Sequence, residues 1–320
     1  MSDTTASTEL GDGDTAPPPF LATSADQTEI GDWFALLKPR VMSLVVFTGA
    51  IGLIVAPGAI NPILGFTAIL CIAVGAGACG AINMWYDRDI DALMRRTRKR
   101  PIPAGRMPPN AALGFGITLA SASVLMMFLA VGTAAAVLLA LSIGFYVFIY
   151  TMWLKRRTPQ NIVIGGAAGA FPAVIGWAAV TGSVSVVPLL LFAIVFFWTP
   201  PHFWSLALYA SDDYARAGVP MLPVTAGARE TRRQIMLYTL VLSVVALLPW
   251  AVGFSGPVYG GVALVLDLGF IVSAWRVLAD TQDARGVSLT NDAPARAAFR
   301  YSLAYLFLLF AAFAVDRLAR

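Results

Sequence analysis

Long apolar stretches separated by short polar loops make up most of the chain after residue 32. About 20 consecutive apolar residues are enough to cross a bilayer as an α-helix. Nine stretches of roughly that length can be recognised, at approximately residues 40–57, 62–83, 111–131, 134–153, 161–180, 186–208, 234–254, 258–277 and 299–316. The pattern therefore predicts an all-α polytopic membrane protein with nine transmembrane helices.

The composition agrees with this prediction and sets the N-terminus apart. Hydrophobic residues make up 58% of the 320 residues and charged residues only 12%, about half the charged fraction of a soluble domain. Residues 1–32 contain seven acidic and no basic side chains and include no apolar run. They are predicted to form a disordered acidic cytoplasmic tail rather than a signal or transit peptide, leaving residues 33–320 as the membrane domain.

The basic residues predict the orientation of the chain. Seven of them lie between residues 88 and 106 and three more at 155–157, whereas the loops at 58–61, 132–133, 181–185 and 255–257 carry no charge. Lys and Arg collect in cytoplasmic loops. The N-terminus and the basic loops are therefore expected in the cytoplasm of a bacterium, with the C-terminus in the periplasm and the chain in the inner membrane.

The loops after the second and sixth apolar stretches resemble each other. Each has an acidic cluster (DRDID and SDDYA), then a pair of prolines, then Ala-Gly and a basic residue (RPIPAGR and VPMLPVTAGAR). Parallel repeats with a site at their interface are a known membrane architecture. The resemblance predicts two parallel four-helix repeats plus a ninth helix around a central cavity, with the two loops meeting over it.

The first of these loops contains the most informative spacing. Asn83, Asp87 and Asp91 are four residues apart, so a continuing helix would present them on one face, with Asp89 roughly opposite. Mg²⁺ prefers carboxylate and phosphate oxygens, and the remaining negative charge requires Arg or Lys. The pattern predicts a Mg²⁺–diphosphate site with Asp87 and Asp91 as ligands and Asn83 as a further ligand or orienting group. A solvated loop with weak ion pairs is the alternative, which the position at the end of an apolar helix disfavours.

The second acidic pair, Asp212 and Asp213, is a candidate for a second metal. Adjacent helical residues point about 100° apart, so both can face one ion only where the helix ends. Two acidic clusters would allow two Mg²⁺ ions to hold one diphosphate. The alternative is an ordinary helix C-terminal loop.

His202, the only histidine, follows two prolines that are expected to kink the sixth span. It is either a hydrogen-bonded packing residue or a cavity-facing base or iron ligand. Asp267, midway along the eighth span, must face protein or water rather than lipid, with an active-site role as the less favoured interpretation.

Five stretches together resemble the UbiA-type intramembrane prenyltransferases, and within them the branch that farnesylates haem B to haem O. The first three are LLKPRVMSLVVFT at 36–48, NMWYDRDIDALMRRTRKRPIPAGR at 83–106 and the segment 150–182. The others are FFWTPPHFWSLALYASDDYARAGVPMLPVT at 196–225 and the tail 296–317. The resemblance covers approximately residues 33–320 in order. A second DxxxD motif, present in many superfamily members, is reduced here to Asp212 and Asp213, which leaves the geometry of a second metal open.

The resemblance implies farnesyl diphosphate as donor, haem B as acceptor and Mg²⁺ as cofactor, in contact with membrane lipid. A haem A synthase or an oxidase-assembly protein is an expected partner, and nucleic acid is not. Asn83, Asp87 and Asp91 would bind metal and diphosphate, and the resemblance leaves His202 as a haem ligand or orienting residue. Lys155, Arg156 and Arg157 would meet the haem propionates, unless they are ordinary cytoplasmic charges. The implied diphosphate-binding residues are Arg95, Arg96, Arg98, Lys99 and Arg100.

Three other functions are compatible with parts of the sequence. A prenyltransferase with an aromatic quinone-precursor acceptor would share the aspartates, but the PHF stretch and the reduced second motif count against it. A secondary transporter of an anionic substrate could use the basic loops as a gate, yet the acids lie at the edge of the membrane. A CDP-alcohol phosphotransferase also places spaced aspartates on a membrane helix, but its Asp-Gly and Ala-Arg elements are absent.

Overall fold

Helices account for nearly all regular structure in the computed structural model, which describes residues 28–284 and 286–319. Eight helical segments are long and apolar enough to cross a bilayer. They are α3 (Pro62–Tyr86), α5 (Pro109–Ala130), α6 with its extension (Thr133–Arg156), α7 (Asn161–Thr181), α8 (Val186–Tyr209), α11 (Gly227–Ala251), α12 (Pro257–Leu278) and α13 (Ala293–Leu318). The predicted tail at residues 1–32 lies almost wholly outside the described residues.

The ninth predicted span corresponds to a bent pair, α1 (Ile30–Leu36) and α2 (Pro39–Val55), whose axes differ by 51°. The bend follows from the sequence Lys38-Pro39, because a residue before proline is driven out of the right-handed helical region. Lys38 adopts a left-handed conformation with φ of 50°, which is uncommon for a residue other than glycine. Counting this pair as one span confirms the prediction of nine within the described part of the chain.

The order of helix packing brings the two halves of the chain together. Within the described helices, α3 packs on α5 and α2 on α7, while α8 contacts α7, α11 and α13. The last helix, α13, also packs on α2. In each half, the second long helix (α3 or α8) is followed at once by a short acidic helix, α4 (Arg88–Leu93) or α9 (Ser211–Arg216).

Two helices start earlier than the hydropathy pattern predicted. α11 begins at Gly227 rather than near 234, and α13 at Ala293 rather than near 299. The additional turn of α11 contains Arg232, whose side chain is 1% exposed and pairs with Asp280 at 3.4 Å and Asp292 at 3.1 Å. A hydropathy window ends at charged residues, so it missed a turn whose arginine is buried by ion pairing.

Helices α2 and α7 approach each other through glycines. A Cβ atom on Gly176 would lie 2.0 Å from the carbonyl oxygen of Gly49, and one on Gly52 would lie 2.1 Å from that of Ala173. Small residues allow close backbone contact between membrane helices. This contact joins the first helix of each half, so the glycines fix the spacing between the halves.

Gly176→Ala is expected to destabilise the protein by about 1–3 kcal/mol, because the added methyl cannot fit without separating α2 from α7. The control is Gly169→Ala in the same helix, where an added Cβ meets nothing within 4 Å. Alanine is a better helix former than glycine by about 1 kcal/mol, so the control should be neutral or stabilising. Thermal unfolding in detergent measures both; equal melting temperatures would contradict the proposed close contact.

Candidate active site

The predicted row of Asn83, Asp87 and Asp91 lies on one side of the junction between α3 and α4. Although α3 ends at Tyr86, the amide of Asp87 donates to the Asn83 carbonyl at 2.9 Å and that of Asp91 donates to the Asp87 carbonyl at 2.8 Å. This helical bonding keeps the three side chains in register across the junction. Their residues are 3%, 0% and 2% exposed, which contradicts the alternative of a solvated loop.

Cationic side chains from three segments meet these residues. Lys38 Nζ donates to Asn83 Oδ1 at 2.6 Å, and Asn83 Nδ2 in turn donates to Asp87 Oδ2 at 2.6 Å. Lys155 also donates to Asp87 Oδ2. Arg100 donates to Asp91 Oδ2 at 2.6 Å. The two buried carboxylates are thus held by cations that are distant from them in sequence.

Arg156 connects the buried row to Asp89. Its guanidinium donates to the two carboxylate oxygens of Asp89 at 2.6 and 2.7 Å and lies 3.5 Å from Asp87 Oδ1. The hydrogen bonds from Arg156 lower the pKa of Asp89. The Asp89 side chain is 60% exposed, which confirms that it lies apart from the row of Asn83, Asp87 and Asp91.

A π-helical segment, Phe145–Trp153, places the next group of polar side chains. It continues α6 (Thr133–Gly144) and leads into a single 3₁₀ turn, Leu154–Arg156, that carries Lys155. Thr151 Oγ accepts from Asn83 Nδ2 at 3.3 Å. π-Helical turns are often found at functional sites, and this one delivers both a hydroxyl and a lysine to the acidic row.

The ring of Tyr150 packs against α7 at Gly165, where any larger residue would collide with it. A Cβ atom on Gly165 would lie 2.3 Å from Tyr150 Cδ2. This contact holds the π-helical segment close to α7 and so supports the position of the adjacent Thr151.

The remaining predicted diphosphate-binding residues lie on the exposed side of the loop. Four of them are exposed to solvent and make no ion pair within the described residues: Arg95, Arg96, Arg98 and Lys99. Arg106 instead pairs with Asp32 of α1 at 2.9 Å. These four exposed side chains are therefore available to bind an anion, whereas Arg100 is already paired with Asp91.

The second acidic pair is arranged differently from the first. Asp212 is exposed, and Asp213 is paired with Arg216 of the same short helix. Within the described residues, no three His, Cys, Asp or Glu side chains are grouped closely enough to hold a metal ion. The two loops do meet, because Ile90 and Met94 share an apolar cluster with Tyr214. Metal binding by Asp212 and Asp213 stays a prediction.

His202 lies in a layered aromatic contact between α8 and α13. Its ring stacks on Trp198 at 4.3 Å and on Phe299 at 4.6 Å between centroids. Its Nδ1 is 2.7 Å from Ser302 Oγ, and that hydroxyl donates to the Phe299 carbonyl at 2.8 Å. With the serine hydrogen directed at that carbonyl, the tautomer that fits this contact has its proton on Nδ1 and leaves Nε2 as the basic nitrogen.

Asp267 makes its contact with α13 rather than with the acidic row. Its Oδ1 accepts from the Tyr305 hydroxyl at 2.7 Å within a buried environment. It therefore faces protein, as predicted for a carboxyl in the middle of a span.

The contacts of Lys38 and Thr151 with Asn83 were not predicted from the sequence, and Lys155 and Arg156 were expected to meet a different ligand. Lys155 and Arg156 contact Asp87; contact with haem propionates stays a prediction. One feature of the sequence could have indicated a role for Lys38: it is a basic residue directly before Pro39, where the first span begins.

The donor set fits a divalent cation together with a diphosphate. Arg100 engages Oδ2 of Asp91, and Asp87 and Asp91 together supply the hard oxygen ligands that Mg²⁺ prefers. The Asn83 oxygen faces Lys38, so this amide orients Asp87 rather than facing a metal. The negative charge of a diphosphate could be balanced by bound Mg²⁺ and by the exposed cations Arg95, Arg96, Arg98 and Lys99, which make no ion pair within the described residues.

Comparison with known proteins agrees with this geometry. The model of the UbiA prenyltransferase family matches residues 44–303. A protoheme IX farnesyltransferase of Granulibacter bethesdensis is 68% identical over 299 residues, covering 93% of this chain and 94% of the relative. A protein of the same name from Acidiphilium cryptum is 68% identical over 90% of this chain and 91% of its own length.

Solved structures with the same fold are much more distant in sequence. A UbiA homologue from Aeropyrum pernix has a TM-score of 0.68 and 18% identity, covering 87% of this chain and 98% of its own. A UbiA homologue from Archaeoglobus fulgidus, bound to DMAPP and Mg²⁺, has a TM-score of 0.63 and 15% identity, covering 88% and 99%. The family model and the close relatives establish that this chain belongs to the UbiA prenyltransferase family and, within it, to the protoheme IX farnesyltransferases.

Proposed function

We propose that this protein transfers the farnesyl group of farnesyl diphosphate to a vinyl group of haem B, with addition of water, to give haem O. The name shared by relatives at 64–68% identity supports the choice of donor and acceptor. The observation that carries the proposal is the buried row of Asn83, Asp87 and Asp91, surrounded by more cationic charge than it needs. Such an excess suits a polyanionic leaving group.

Mg²⁺ would be held by Asp87 and Asp91. When bound, it would neutralise diphosphate charge and polarise the phosphoryl oxygens as a Lewis acid. The A. fulgidus relative bound to DMAPP and Mg²⁺ supports a divalent cation in this fold.

The chain's own cations stabilise the departing diphosphate. Lys38, Lys155 and Arg100 lie on the buried side, and the four exposed cations of the loop, Arg95, Arg96, Arg98 and Lys99, cover the open side. Charge grows on the bridging oxygen as the bond to farnesyl C1 breaks. Preorganised cations in a site of low dielectric stabilise that charge more than water does.

The acceptor chemistry takes place on the apolar side of the site. The vinyl π electrons form a bond from the terminal vinyl carbon to farnesyl C1, and the electrons of the C1–O bond leave with the diphosphate. The carbocation at the inner vinyl carbon takes up water and releases one proton. The hydroxyethylfarnesyl substituent that results keeps every atom of the farnesyl group, and exclusion of water until the first bond has formed prevents hydrolysis of the donor.

His202 Nε2 is proposed as the group that binds the haem iron. Neutral imidazole is a common axial ligand, and the Ser302 contact at Nδ1 holds the tautomer that leaves Nε2 unprotonated. Both faces of the ring are covered by Trp198 and Phe299. Iron can therefore approach only along the ring edge.

The orientation predicted from the basic loops completes the proposal. Asp87, Asp91 and the exposed cations lie at one end of the bundle, which we assign to the cytoplasmic side of the inner membrane. Haem O is then available to a haem A synthase or to oxidase assembly, the partners expected from the sequence.

Incubation of purified protein with farnesyl diphosphate, haem B and Mg²⁺ is expected to give a haem whose mass has grown by one farnesyl group and one hydroxyl group. Mass spectrometry of extracted haem measures this directly. EDTA should abolish the product and excess Mg²⁺ should restore it. Unchanged haem, together with prenylation of a hydroxybenzoate offered in parallel, would contradict the proposed acceptor.

Asp87→Asn and Asp91→Asn are each expected to lower kcat/KM at least about 100-fold, because each removes a charged ligand at the leaving group. Asp89→Asn is the matched control on the same short helix. The exposed ion pair between Asp89 and Arg156 contributes at most about 1 kcal/mol. The loss of kcat/KM in this variant should therefore stay below about fivefold. The metal assignment fails if Asp87→Asn remains active while eluting as a well-folded protein in gel filtration.

His202→Ala is expected to change the Soret band of the haem-bound protein by removing the iron ligand. Ser302→Ala keeps Nε2 and should retain the ligated spectrum with weaker haem affinity. An identical haem spectrum in wild type and His202→Ala would rule out axial ligation and return His202 to a packing role.

A further inference from the structure

A cavity lies at the end of the bundle opposite Asp87. It has a volume of about 360 Å³, within the size range of small-ligand sites. The C-terminal ends of α2, α11 and α13 meet there with the start of α8. The cavity therefore lies between helices of both halves of the chain.

Its walls are largely apolar, and three aromatic rings in them pack on one another. The rings of Trp177 and Phe254 are 5.9 Å apart, and those of Phe254 and Phe313 are 6.2 Å apart. Trp177 and Phe313 are also part of the main apolar core of the bundle. These contacts keep the cavity open as an apolar space that an alkyl chain can fill.

Two polar groups line this otherwise apolar space. The Ser255 hydroxyl has no hydrogen-bond partner within the described residues, although the residue is only 4% exposed. A buried polar group without a partner is unusual and costly. A ligand that supplies an acceptor oxygen would remove this cost.

Arg317 is the other polar group, and it lies exposed on the cavity lining. The adjacent Asp316 points elsewhere, accepting from the backbone amides of Gly256 at 2.6 Å and Tyr259 at 3.3 Å. Arg317 is the one cation among the described residues at this end of the bundle, because the loops at 58–61, 132–133, 181–185 and 255–257 carry no charge. Its charge is thus free to attract an anion.

We propose that this cavity is a binding site for an anionic amphiphile, with a phosphate head on Arg317 and Ser255 and an alkyl chain against Trp177, Phe254 and Phe313. A phospholipid of the adjacent leaflet has this chemistry. The helix ends that form the cavity lie at the depth of lipid head groups. Because the lining combines α2 of the first half with α7 and α8 of the second half and with α13, an occupant would contact both halves and stabilise the bundle.

Titration of the full-length, detergent-purified protein with phosphatidylglycerol tests the proposal by native mass spectrometry and by thermal unfolding. Wild type is expected to retain the lipid and to melt at a higher temperature when it is bound. Arg317→Gln should weaken binding about fivefold, the effect of one cation near a lipid surface. Ser255→Ala should weaken it about threefold, the effect of one hydrogen bond.

Two further variants and two further ligands test whether the lipid binds in the cavity and through its charge. Val187→Trp, which fills the cavity, should prevent retention of the lipid. Ser183→Ala is the matched control, since it is an exposed serine at the same end of the bundle and outside the cavity. Phosphatidylcholine should bind less well than phosphatidylglycerol, and inorganic phosphate alone should give no rise in melting temperature.

Equal retention of phosphatidylglycerol by wild type, Arg317→Gln and Val187→Trp would overturn the proposal. So would an equal response to phosphatidylcholine, or a full response to inorganic phosphate. Because Arg317 is exposed, its substitution leaves the fold intact and keeps the test valid even if Val187→Trp does not fold.

Discussion

Two carboxylates buried at the end of a membrane helix require nearby cations, and this requirement governs the arrangement around them. An unpaired buried charge is strongly unfavourable. Asp87 and Asp91 are almost fully buried and are each met by a basic side chain, Lys155 and Arg100 respectively. The cations come from the loop after α3 and from the end of the fourth span, so both buried carboxylates are neutralised only when these segments have packed together.

Local irregularities in the backbone bring the cations to the row. Lys38 reaches Asn83 from a left-handed conformation at the residue before Pro39. Lys155 reaches Asp87 from the turn that ends a π-helical segment. Strained or unusual backbone tends to persist where the surrounding structure holds it in place for a function. In this protein both irregularities end on the same hydrogen-bonded row.

The predictions that held were those that depend on local periodicity. Helix spans follow from apolar runs, and the alignment of Asn83, Asp87 and Asp91 follows from a four-residue spacing that the backbone maintains. Contacts between distant segments could not be predicted in this way. Lys38 and Asn83 are 45 residues apart, and their contact depends on the 51° bend between α1 and α2. A π-helical turn also shifts the side-chain register, so an α-helical projection would misplace Thr151 and Lys155.

The two acidic loops illustrate how similar sequences can serve different purposes. In the first loop Asp87 and Asp91 are buried, whereas in the second Asp212 is exposed and Asp213 is bound to Arg216. The second loop instead contributes Tyr214 to the apolar cluster that holds Ile90 and Met94. Through this apolar contact the second loop packs against α4, the short helix that carries Asp91. The two buried carboxylates that we propose as metal ligands therefore both lie on the first half of the chain. His202 and its aromatic neighbours Trp198 and Phe299 lie instead on α8 and α13, and this is the surface at which we propose that the planar acceptor binds.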